Sequence, residues 1–288
     1  MSLEPVESRP SPGLIAGVAA VVVGAAVIGF FVGRWSVGRP QEPARGVTSP
    51  AASEEPAEEQ APSPGTIVVA DERVAAAIRE LDAFPPDRLT DEACGEIDAM
   101  LDEACGDAGI GERCGELRAA AVALAQHPPV ASGELFDQEN VIANTFHLFR
   151  VLGRDRLEQF GELLDRRGLE LEPVGAALYR WVASREACGE GAERNVTLER
   201  LDDYAVWSLS SLGGQAYLRR RSPAVEGLAT FYALVTVDRA IREGREPYGL
   251  DPRRFLPRCE ALIRGAEPAY RDAYVEVLTR FRHRWGGL

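Results

Sequence analysis

Lysine is missing from this chain altogether. Its absence excludes a Walker-type phosphate loop, a Schiff-base enzyme, the nucleotide-binding lysine of protein kinases and a Ser–Lys hydrolase, each of which needs an ammonium at a set position. Every basic role falls to the 32 arginines. Histidine is nearly as scarce. Of the three present, His127 precedes two prolines and closes a helix, His147 lies in the aromatic run NTFHLFR as a hydrogen-bonded, partly buried residue, and His283 sits near the C-terminus. None belongs to HExxH or to another two-histidine spacing that a metal ion needs. Neither GxSxG nor GxGxxG occurs. Asp202 and Asp203 are adjacent acids on a helical segment, where neighbouring side chains point in different directions, so the pair is not expected to share a substrate. No recognisable catalytic set remains, and neither a cofactor nor a metal is expected.

What the chain does have is one long apolar run. Residues 13–33 read GLIAGVAAVVVGAAVIGFFVG without a charge. As a helix rising about 1.5 Å per residue this run spans roughly 30 Å, the thickness of a bilayer's hydrocarbon. The spacing therefore predicts a transmembrane helix over 13–34, after a short tail, 1–12. Arg34, Arg39 and Arg45 follow the run and only Arg9 precedes it, a bias that places the larger part of the chain in the cytoplasm. Gly13, Gly17, Ala25, Gly29 and Gly33 repeat small residues at helical spacing, a face on which two such helices approach closely.

Residues 35–69 are dominated by Pro, Ala, Ser and Glu, a composition that cannot bury enough surface to offset backbone ordering, and they read as a flexible linker. Beyond them the apolar residues return at helical intervals. Cys94, Ile97, Leu101 and Cys105 are one example, and Tyr270, Tyr274, Val277 and Phe281 another. Ser222–Pro223 and Asp251–Pro252 are helix-opening pairs. About eight or nine helices, with clear strand character only at Thr66–Val69, predict an all-α fold. Residues 71–130 hold fourteen acids against five arginines, a net of −9, whereas 131–288 hold twenty-four against twenty-three. The prolines of HPPVASGE mark a seam, dividing an acidic, cysteine-bearing lobe (70–128) from a main helical domain (129–288).

DEACG occurs twice, at 91–95 and 102–106, with an echo, ERCG, at 112–115. Zinc is disfavoured, because Cys94, Cys105, Cys114 and His127 show none of the close pairs of structural sites. Buried, reduced thiols acting as small hydrophobes on apolar stripes are the preferred reading. The alternative is a disulfide between Cys105 and Cys114 across the turn GDAGIG, with Cys188 or Cys259 left as the partners for Cys94.

The acidic excess disfavours nucleic acid as a partner. Two basic clusters, Arg219–Arg220–Arg221 and Arg280, Arg282 and Arg284, are candidates to contact an anionic partner. Together these features predict a single-pass membrane protein whose helical domain acts as a membrane-tethered adaptor or assembly module for a protein partner. The alternative is a structural subunit of a membrane-associated complex that forms homo-oligomers through the small-residue helix face. An enzyme with an unfamiliar helical site comes behind both.

Overall fold

The computed structural model describes residues 71–84, 89–129, 144, 147–210 and 222–286. Among them are ten α-helices: α1 (Glu72–Arg79), α2 (Asp91–Asp107), α3 (Cys114–Gln126), α4 (His147–Leu152), α5 (Arg154–Arg167), α6 (Glu172–Cys188), α7 (Leu198–Leu209), α8 (Pro223–Arg242), α9 (Leu256–Ala266) and α10 (Arg271–Trp285). Their starts follow from side chains that satisfy the first free amides. Asp71 accepts from Arg73 N–H, Thr90 from Ala93, Thr197 from Arg200 and Ser222 from Val225. Each such cap contributes about 1 kcal/mol. Asp251 does the same for a 3₁₀ turn, Pro252–Phe255, which leads into α9.

α8 lies at the centre, with α7 and α9 along its sides. Nearly every residue from Val225 to Asp238 is buried, as expected of a helix that is apolar on all faces. Gly227 lets α9 come close: a methyl group there would meet Leu262 Cβ at 3.2 Å and Ile263 Cγ1 at 3.3 Å. α2 and α6 run antiparallel. Cys94 on α2 is disulfide-bonded to Cys188, and four residues further along α2 Asp98 meets Arg185 and Trp181. The Trp181 indole donates to Asp98 Oδ1 at 2.7 Å while the Arg185 guanidinium lies over its ring. A second disulfide, Cys105–Cys114, joins the end of α2 to the start of α3. One cluster of buried apolar residues runs from Ala75 in α1 to Trp285 in α10.

The fold expected from the sequence needs correction where it invoked a membrane. Among the described residues no helix is long and apolar enough to cross one. α8 has the length, 20 residues, but carries Glu226, Asp238, Arg239 and Arg242 and is buried within the protein. What the structure supports is an all-α domain, with ten helices among the described residues. The membrane-anchored, single-pass assignment and the tethered-adaptor role built on it are withdrawn. The run 13–34, with Gly13, Gly17, Ala25, Gly29 and Gly33, and the linker 35–69 lie outside the described residues, as do Arg219, Arg220 and Arg221.

Candidate functional site

A groove of about 770 Å³ opens between α1, α2 and the start of α6. Its geometry follows from helical spacing. On α2 and its C-cap, Glu96, Ala99, Met100, Glu103, Ala104, Asp107 and Ala108 recur at intervals of three and four residues and so share one face. The floor is made of small side chains, with Ala77 from α1, Ala104 and Ala108 from α2, and Ala176 and Ala177 from α6. Alanine at facing positions keeps the space between the helices open, where larger residues would interdigitate and close it. Val74, Met100 and Pro173 complete the apolar lining.

The rim is charged and unbalanced. Five carboxylates (Asp71, Glu96, Glu103, Asp107, Glu170) face two guanidinium groups, Arg73 and Arg167. Arg167 pairs with Glu170 at 2.6 Å. Arg73 reaches from α1 to Glu103 on α2 at 2.9 Å and also pairs with Asp71 at 3.2 Å. Its side chain is 70% exposed, so these pairs are weak and easily exchanged. Glu96 and Asp107 make no ion pair among the described residues. The groove thus presents an excess of negative charge above an apolar floor, with Arg180 acting on Glu96 beyond ion-pair distance.

One wall is secured by a buried carboxylate. Glu172, the first residue of α6, is 1% exposed and accepts from the backbone N–H groups of Ala269 (3.1 Å) and Tyr270 (3.2 Å). Tyr270 lines the groove and its hydroxyl accepts from Asp71 N–H, which fixes the start of α1. Burial pushes the Glu172 carboxyl up to about 7, although the two amides pull the other way.

The residues that chemistry would have favoured lie elsewhere. His147 is buried, with Nε2 2.8 Å from Tyr204 Oη and its ring against Trp207. Burial, reinforced by the charge of Arg150, pushes it down to about 4, so it is neutral at physiological pH. Asp202 and Asp203 do meet a common partner. Arg245 donates from Nε to Asp202 at 3.0 Å and from a terminal nitrogen to Asp203 at 3.4 Å, and Tyr248 donates to Asp203 at 2.9 Å. Adjacent positions on a helix diverge, but a forked guanidinium reaches both. Burial raises Asp202 to about 6. Among the described residues no group of three or more His, Cys, Asp or Glu is arranged to hold a metal ion.

The C-terminal arginines are engaged internally. Arg280 and Arg284 both hold Asp82, at 2.7 and 2.8 Å, and Arg284 also pairs with Asp238 at 2.9 Å. Arg242 joins the network through Asp238, and Arg282 pairs with Glu260. Cys105 and Cys114 are brought together as a disulfide. Cys259 is the free thiol, fully buried, and burial raises its pKa far from the thiolate range of reactive cysteines.

His147 and Glu172 predict opposing pH dependences. His147 falls from 6.5 to about 4 on folding. As pH drops the unfolded chain takes up the proton first, so the stability contribution is present above about 6.5 and lost towards pH 4. Glu172 rises from 4.5 to about 7. The unfolded chain loses that proton first, so stability is highest below about 4.5 and declines as pH rises to 7. Each shift corresponds to about 3 kcal/mol. Urea midpoints between pH 4 and 8 should show a weaker acid-side loss in His147→Phe and a weaker alkaline decline in Glu172→Gln. Profiles parallel to the parent would refute both assignments.

Sequence reasoning located the acids of α2 and their helix but not the groove, whose other walls come from residues far away in the chain. No protein-family model matches this sequence, and neither the curated proteins nor the solved structures gave a match.

Proposed function

We propose that the domain is a recognition module that holds a positively charged ligand in the groove between α1, α2 and α6. The observation that carries this reading is the pairing of an alanine floor with a carboxylate rim in which, among the described residues, Glu96 and Asp107 have no ion-pair partner. A cationic group about 4 Å from one such carboxylate gains about 4 kcal/mol before desolvation, at the effective dielectric of a protein surface. The alanine floor supplies apolar contact for the rest of the ligand. Two disulfides among five cysteines support a domain that matures where thiols are oxidised. They also favour a rigid site, since Cys94–Cys188 and Cys105–Cys114 pin both ends of the helix that forms the acidic wall.

Calorimetric titration of the full chain with a short alanine–arginine peptide, and with its alanine–glutamate counterpart, tests the reading. The arginine peptide should bind and the glutamate peptide should not. Affinity should fall as salt shortens the screening length towards about 8 Å. Ala99 is exposed on the groove's α2 wall, so Ala99→Trp should fill the space without disturbing the core and weaken binding at least about tenfold, the equivalent of about 1.4 kcal/mol. Equal binding by parent and Ala99→Trp would mean that the cation is held by the chain's general negative charge, and the groove reading would fail.

A further inference from the structure

The acids of the groove wall have a spacing, and the spacing describes a ligand. Glu96, Glu103 and Asp107 lie seven and four residues apart on α2, in line on one face and about 10 and 6 Å apart along its axis. Beside that line Ala104 and Ala108 form the floor, and Ala77, Ala176 and Ala177 face them. Floors of this kind let a second helix approach to the near end of the usual 8–10 Å interaxial range.

The chain already shows what the ligand's side chains would do. Arg73 extends from α1 into the groove and pairs with Glu103, the middle acid of the line. Its exposed guanidinium occupies a position that a ligand's arginine can take over, because an exposed pair is worth little. Among the described residues neither Glu96 nor Asp107, on either side, has such an ion pair, and Glu96 feels only the more distant charge of Arg180. A ligand therefore gains most from basic groups placed at the two ends of the line.

The geometry points to an α-helical partner laid along α2, with small residues against the alanine floor and basic residues spaced seven and four apart to meet Glu96, Glu103 and Asp107. This inference rests on the groove being a cation-recognising site, and adds the conformation and register of what it recognises. An extended strand advances about 3.3 Å per residue and turns alternate side chains to opposite faces, so it would need basic residues about four and two apart to bring all three towards the same acids. The two backbone forms are therefore separable by sequence alone.

The test uses three alanine-based peptides carrying three arginines each, titrated into the full chain. The first is a stabilised helix with arginines spaced seven and four. The second is the same helix with spacings of five and six, which turns the middle arginine off the face. The third is a proline-containing, non-helical peptide with spacings of four and two. The matched helix should bind at least about tenfold more tightly than the other two, and Glu96→Gln with Asp107→Asn should abolish that advantage. These acids are exposed, so the double variant is expected to fold as the parent does. Equal binding of the two helices, or tighter binding of the extended peptide, would overturn the inference while leaving a cation-binding groove intact. Failure of all three to bind would overturn the groove reading itself.

Discussion

Removing the Cys94–Cys188 bridge, as Cys94→Ala with Cys188→Ala, should lower the stability of the domain by about 4–5 kcal/mol. The two residues are 94 positions apart in sequence. The cost of their loss lies mainly in the unfolded chain, which regains the freedom of a long loop. The native contact between α2 and α6 does not depend on the sulfur bridge alone, because Asp98 still accepts from Trp181 and still faces Arg185. Cys105→Ala with Cys114→Ala opens a loop of only nine residues and should cost about 2.5 kcal/mol by the same argument. Denaturant unfolding of both double variants compares the two. A short-loop variant that loses as much as the long-loop one would show that the bridges act through native-state contacts rather than chain entropy.

Asp82→Ala should destabilise by about 3–5 kcal/mol, the range for breaking a buried ion pair from one side. Asp82 is 4% exposed and receives Arg280 through both carboxylate oxygens and Arg284 through one. Its backbone carbonyl also accepts from Arg242. The network ties the end of α1 to α8 and α10, and its loss leaves Arg280 with Glu276 and Arg284 with Asp238 as the remaining carboxylate partners. These arginines hold the Asp82 carboxyl below its ordinary value, although burial opposes them. Stability from this group is present at neutral pH and is lost as acidity protonates the carboxylate. Arg282→Ala is the contrast. Its pair with Glu260 is 55% exposed on the arginine side and should contribute less than about 1 kcal/mol. Equal losses in the two variants, measured by thermal unfolding, would contradict the distinction between a buried network and a surface pair.

The difference between those two predictions shows where the sequence can be read and where it cannot. RFRHRW looks like a solvated basic end, and Arg280 and Arg284 are four apart on one helix face. Their partner, Asp82, stands about two hundred residues earlier, and no local pattern announces it. The apolar stripe on the same helix was legible, because Tyr270, Tyr274, Val277 and Phe281 recur at helical intervals and all four are buried. Helix starts were legible too where a capping residue and proline stand together, as at Ser222–Pro223. At Asp251–Pro252 the same device opens a 3₁₀ turn and α9 starts after it.

The cysteines divide along the same line. Cys105 and Cys114 flank one turn, so their proximity is a local matter. Cys94 had two distant candidates, and only the antiparallel arrangement of α2 and α6 selects Cys188 over Cys259. The preference for reduced, buried thiols holds for Cys259 alone in the structure. As for the groove, the DEACG repeats placed Ala104 and Glu103 side by side, but the alanines of α1 and α6 that face them are invisible without the fold. Alanine abounds in this chain, and nothing in its local sequence separates floor from filler.

The most direct test of the account is the hydrogen-exchange footprint of the full chain with the matched helical peptide bound. Protection should appear along α2 between Glu96 and Ala108 and at the facing parts of α1 and α6, and Ala99→Trp should erase it. Protection concentrated instead on α9 and α10, or a footprint unchanged by Ala99→Trp, would contradict the assignment of the groove as the recognition site.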